Sequence, residues 1–106
     1  MNMDVRYAHP DVKMFIDALE KPSRAKTARY IDLLAQKGRS FGMPFSKHIG
    51  DGIFELRMVG TQNVRILYGF HANCAWLLLA LSKKSQKLST RDIQTASERL
   101  KRLQTA

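Results

Sequence analysis

Residues 52–87 read GIFELRMVGTQNVRILYGFHANCAWLLLALSKKSQK, and this stretch leaves few folds open. Apolar runs over 53–59, 64–70 and 74–81 are separated by Gly60-Thr61-Gln62-Asn63 and His71-Ala72-Asn73, breaks of turn composition. Connections this short join antiparallel neighbours, because a parallel return needs a crossover of about a dozen residues or more. The pattern predicts three consecutive antiparallel strands. Arg57 and Arg65 interrupt the first two, and the third leads into Ser82-Lys83-Lys84. Arginine is costly to bury in a small sheet unless it is paired or faces a wet cleft. Basic residues clustered on one small sheet point to a surface that meets an anion.

Helical periodicity lies on both sides. Val12, Phe15, Ile16 and Leu19 recur at helical spacing and predict a helix over 10–20, with Pro10 in its first turn and Pro22 as its stop. A second helix is expected over 23–37, with Ala28, Ile31, Leu34 and Ala35 as its apolar stripe and Gly38 as C-cap. The two form a hairpin whose polar face carries Lys21, Arg24, Lys26 and Arg29. Residues 39–51, rich in Gly, Ser and Pro, read as a loop with Lys47 and His48 near its end. A third helix starts near Ser89, where Ser89-Thr90-Arg91-Asp92 resembles a capping box; Ile93, Ala96, Leu100 and Leu103 give it one apolar face. Residues 4–8 are available as an edge strand. The expected fold is α+β: one domain over 1–106, a small antiparallel sheet of three to four strands with an N-terminal helical hairpin and a C-terminal helix.

The net charge of +9 is unevenly placed: residues 21–47 hold seven Lys/Arg against Asp32, and residues 83–102 hold seven against Asp92 and Glu98. That asymmetry favours a polyanionic partner. The longest apolar run, 74–81, is too short to span a bilayer, and the start MNMDVRYAHPDV has no signal-peptide character, so a cytoplasmic protein with no membrane partner is expected. Cys74 cannot form an internal disulfide and reads as a small core residue. His9, His48 and His71 are far apart, with no Cys or carboxylate at ligand spacing, so neither metal nor cofactor is expected. Nucleophilic triads, paired catalytic carboxylates and glycine-rich phosphate loops are not legible either.

Lys, Arg and Tyr chemistry remains. Arg57 and Arg65 share a face if the hairpin loop has an odd number of residues and lie on opposite faces if it is even. Lys83 and Lys84 follow a strand end, where a loop can hold them over the sheet. Neither Arg65 nor Lys84 need be core. Tyr68, three residues after Arg65, points the other way into the core, and Trp76 reads as core as well. With no exposed aromatic platform in view, generic RNA binding is disfavoured.

Gly52-Ile53-Phe54-Glu55-Leu56-Arg57, then Val64-Arg65-Ile66-Leu67-Tyr68, then Leu81-Ser82-Lys83-Lys84-Ser85-Gln86-Lys87, then Ile93 and Ala96, resemble the phage-derived Gp49-like/HigB branch of the RelE/ParE toxin superfamily. Val12-Lys13-Met14-Phe15-Ile16 and Ile31-Asp32-Leu33-Leu34 with Gly38 match that branch's helical hairpin in order and spacing. The resemblance implies a RelE-like fold and the toxin of a type II toxin–antitoxin pair, a ribosome-dependent mRNA endoribonuclease working without metal. Its implied partners are mRNA, the ribosome and a cognate antitoxin, usually a helix-turn-helix protein. It places Arg65 at the scissile phosphate and Lys84, with Lys83 as alternate, at the basic position after the last strand; Arg57, on the neighbouring strand, is expected to bind the phosphate oxygens together with Arg65. Ile53 and Glu55 stand where RelE carries lysines for proton transfer, and no tyrosine follows Lys87. Lys47, Lys87, Lys26, Arg29 and Arg91 are the expected contacts to RNA. A ParE-like gyrase poison and a non-catalytic nucleic-acid-binding domain are the alternatives.

Overall fold

The computed structural model describes residues 2–82 and 87–106. In chain order the elements are β1 (Asp4–Tyr7), α1 (Pro10–Asp17), α2 (Lys21–Lys37), a 3-10 turn (Gly38–Ser40), β2 (Ser46–Gly50), β3 (Ile53–Met58), β4 (Val64–His71), β5 (Cys74–Ser82) and α3 (Thr90–Thr105). The sheet runs β1-β5-β4-β3-β2. The expected meander is present as antiparallel β3, β4 and β5, and the fold is α+β with a C-terminal helix. The edge strand available over 4–8 is present, and a second edge is added. Residues 4–7 form a strand, but it lies parallel to β5. The expected loop over 39–51 contains β2, antiparallel to β3, which makes the sheet five-stranded and mixed.

β2 escapes a local reading because Ser46-Lys47-His48-Ile49-Gly50 has little strand propensity. It becomes a strand because β3 would otherwise offer an unpaired edge; Ser46, Lys47 and His48 face Leu56, Glu55 and Phe54. The turn into β3 uses positive φ at Gly50, Asp51 and Gly52 (112°, 53° and 75°), which only glycine adopts freely and Asp tolerates.

Pro22 does not end the first helix. α1 stops at Asp17, and Pro22 sits in the first turn of α2, where its missing N–H costs nothing. The buried side of α2 also differs from the expected stripe. Ala28 is exposed, and Ser23, Thr27 and Leu34 are buried. Near the β3–β4 loop the helix approaches closely enough that Ser23 Oγ lies 3.4 Å from Thr61 Oγ1. Small residues fit there, and Thr27 satisfies its hydroxyl by donating to the Ser23 carbonyl at 2.8 Å.

The sheet is packed on both faces. Toward α1 and α2, Leu56, Met58, Val64, Ile66 and Tyr68 join Val12, Ile16 and Leu34. Tyr68 is buried as expected; its hydroxyl is hydrogen-bonded to Ser46 Oγ, and burial raises its pKa. Toward α3, Ile53, Leu67 and Leu78 join Ala96 and Leu100. A Cβ on Gly69 would come within 3.1 Å of both the Gly52 carbonyl oxygen and Leu100, so α3 seats against bare backbone there. Ser89 caps α3 as expected, accepting from the Asp92 N–H at 3.1 Å. Cys74 and Trp76, expected in the core, are only half-buried because both lie next to the β1 edge. Trp76 Nε1 donates to the His71 carbonyl at 3.2 Å. Among the described residues no helix is long and apolar enough to cross a membrane.

Arg99 clasps α3 to the opposite end of the chain. Its guanidinium donates to both carboxylate oxygens of Asp11, at 2.9 and 2.6 Å, and to the Leu78 carbonyl at 2.8 Å. The Arg99 hydrogen bond holds the Asp11 carboxyl below its ordinary pKa of 3.8. A lowered folded-state value means stabilisation present above the unfolded value and lost as pH falls through the folded one. Asp11→Asn is therefore expected to cost about 1 kcal/mol at pH 7, the upper end for a partly exposed pair, and almost nothing near pH 2. Urea unfolding of both proteins at the two pH values measures it; an equal difference at both would remove the ion pair as the cause.

Candidate functional site

The β3–β4 connection, residues 59–63, has five residues. The odd count decides the register left open above: Arg57 and Arg65 are direct cross-strand partners on the face toward α3. Like charges directly opposite repel unless something lies between them. That something is Glu55, two residues before Arg57 on the same strand face. Its Oε1 accepts from Arg57 Nη2 at 3.1 Å and its Oε2 from Arg65 Nη1 at 3.3 Å. Glu55 is 2% exposed, and the side chains of Arg65 and Arg57 are 6% and 38% exposed. A carboxylate this deep needs compensating cations, and two charge-assisted hydrogen bonds supply them.

Lys47 on β2 is the cross-strand partner of Glu55. Lys47, Ile49, Glu55 and Arg57 form the sheet side of an open groove of about 370 Å³, and Lys87, Leu88 and Ile93 close its other side. A smaller recess lined by Met43, Pro44, Phe45 and Ser46 shares Lys47, Glu55 and Arg57. The arginine–carboxylate cluster therefore sits between two hollows.

Of the positions singled out in the sequence, Arg57, Arg65, Lys47 and Lys87 come together here. Arg65 is not the non-core position expected; beside Arg57 on the same face, it is the buried member of the cluster. Lys83 and Lys84 lie outside the described residues. Lys26 and Arg29 do not join the groove: both are on α2, across the sheet, where Lys26 Nζ donates to the Val59 carbonyl. Arg91 is exposed in the first turn of α3. In the sequence Glu55 stands out only as a departure from a lysine pattern. The i, i+2 spacing of Glu55 and Arg57 already placed both on one strand face, and that was the available signal. Among the described residues, no three His, Cys, Asp or Glu side chains gather as a metal-ligand group.

Two guanidiniums held on one face by a shared carboxylate, with lysines on the flanking β2 edge and at the approach to α3, give a small α+β scaffold a basic groove. The class these features define is a basic, groove-bearing domain of RelE-like architecture. The chain belongs to the phage-derived Gp49-like protein family (DUF891), whose family model matches residues 14–101. This is a RelE/HigB-like toxin branch, which sets the protein among toxins of toxin–antitoxin systems and implies an antitoxin partner. No curated protein matches the chain.

Proposed function

We propose that this protein is the toxin of a type II pair and a ribosome-dependent mRNA endoribonuclease acting in the cytoplasm, held in check by a cognate helix-turn-helix antitoxin. The observation that carries the reading is the Arg57–Glu55–Arg65 cluster at the groove. RNA cleaves itself when its 2′-OH is deprotonated and aligned with the adjacent phosphorus, so an enzyme must orient that geometry and stabilise a dianionic phosphorane. Arg57, on the exposed side of the cluster, contacts the phosphate oxygens. Arg65, buried beside it, adds positive potential in a poorly solvated position where charge acts more strongly. Glu55 keeps the two guanidiniums oriented before substrate arrives. Lys84, with Lys83 as alternate, supplies charge or a proton to the 5′-leaving oxygen. Lys47 and Lys87 hold the flanking strand through its phosphates.

Purified protein added to ribosomes programmed with a defined message should cut that message, and Arg57→Ala should slow cutting about 10²–10³-fold, the usual loss for one transition-state donor. Growth arrest with DNA damage and intact messages would instead indicate a gyrase poison. Ribosome binding with no cleavage would leave only a binding domain.

A further inference from the structure

β2 also builds something on the sheet face away from the arginines. It places His48 opposite Phe54, with ring centroids 4.7 Å apart. Phe54 meets Phe70 of β4 edge-on at 5.4 Å. The Arg39 guanidinium, from the 3-10 turn after α2, lies 4.7 Å from the centre of the Phe70 ring. His48 and Arg39 are exposed, and Phe54 and Phe70 are half-buried. On their inner side the two phenylalanines rest on the α1/α2 core, and Phe54 stacks on buried Tyr68. The outer side is a row of rings crossing three strands, capped by a guanidinium, with exposed Lys37 beside it in sequence.

A core rim has no need of an exposed imidazole and a stacked guanidinium. A nucleobase does, because flat π-faces and guanidinium planes are what unstacked bases pack against, and adjacent cations hold the phosphates. We propose that His48, Phe54, Phe70 and Arg39 form a base-stacking site for single-stranded RNA, separate from the groove and on the opposite face of the sheet. It rests on the RNA reading above only for the kind of strand. The groove handles a phosphate; this patch holds a base of the same or a neighbouring RNA.

The test is equilibrium binding without ribosomes. Fluorescence anisotropy would follow a labelled twelve-nucleotide single-stranded RNA on the full-length protein and on His48→Ala, Arg39→Ala and Phe54→Leu, over a range of salt. Each stacked base contributes enough for about a tenfold loss per variant. His48→Ala should weaken binding with an unchanged salt slope, since a stacking contact releases no counterion, whereas Arg39→Ala should also flatten it. In proton NMR, the His48 ring resonances should shift on adding the same RNA. His48 and Arg39 are exposed, so those variants keep the fold even if Phe54→Leu does not. Unchanged affinity in His48→Ala and Arg39→Ala, or no RNA binding by the parent, would overturn the site. A protein that binds RNA here but never cuts messages would lose the nuclease reading and keep this one.

Discussion

Arg65→Ala is expected to cost the fold as well as the activity. Arg65 is 5% exposed and Glu55 2%, so removing the guanidinium leaves a buried carboxylate short of compensation. Breaking one side of a buried pair typically costs about 3–5 kcal/mol. For a domain of this size that lowers the melting temperature by about 12 °C or more. Glu55→Gln should destabilise as well, because it removes the buried negative charge that both guanidiniums share. Replacing the pair together, as Glu55→Leu with Arg65→Met, should recover much of the loss, because a well-packed apolar pair often matches a buried ion pair. Toxicity lost in Arg65→Ala therefore does not by itself assign chemistry to Arg65. Arg57, more exposed, is the cleaner probe: Arg57→Ala should stay within about 1 kcal/mol of the parent in stability while losing cleavage. Thermal unfolding of the four variants decides it. An Arg65→Ala protein as stable as the parent would mean that the Glu55 carboxylate is satisfied by other means.

The second large effect falls on the substrate. If the groove cleaves by activating the RNA's own 2′-OH, a message with a 2′-O-methyl or 2′-deoxy sugar just 5′ of the scissile phosphate should resist cutting to the level of an enzyme-free control. The products of the natural message should carry a 5′-hydroxyl and a 2′,3′-cyclic phosphate or the phosphate from its opening. The nucleophile is then part of the substrate, and the protein need only place the phosphate and neutralise its charge. Mass spectrometry of fragments from programmed ribosomes reads both ends. Fragments with 5′-phosphate and 3′-hydroxyl ends would show that water attacked instead, and the roles given to Arg57, Arg65 and Lys84 would fall with it.

Both effects depend on the cluster at Arg57, and its legibility was uneven. Apolar runs between turn-like breaks announced β3, β4 and β5, and spacing announced the helices, because those signals arise within a single element. The apolar face of α3 and its Ser89 cap were readable for the same reason. Local sequence by itself thus determined the meander, the helices flanking it and the presence of arginines on two adjacent strands. The carboxylate that braces those arginines was visible only as an unexplained glutamate. Its role needs the β3–β4 register, which turns on whether the whole of 59–63 lies outside the ladder.

The tertiary structure alone decided the rest. β2 has no propensity of its own and exists as a strand because β3 needs an edge partner; only that pairing puts Lys47 beside Glu55 and His48 beside Phe54. The parallel seat of β1 on β5 likewise comes from long-range hydrogen bonding that no local pattern encodes. Arg65 illustrates the limit most sharply. Charge and position marked it as part of a surface, yet in the folded sheet it is 5% exposed and its guanidinium donates to Glu55. Depth is a property of a residue's folded surroundings, which the local sequence around Arg65 does not encode.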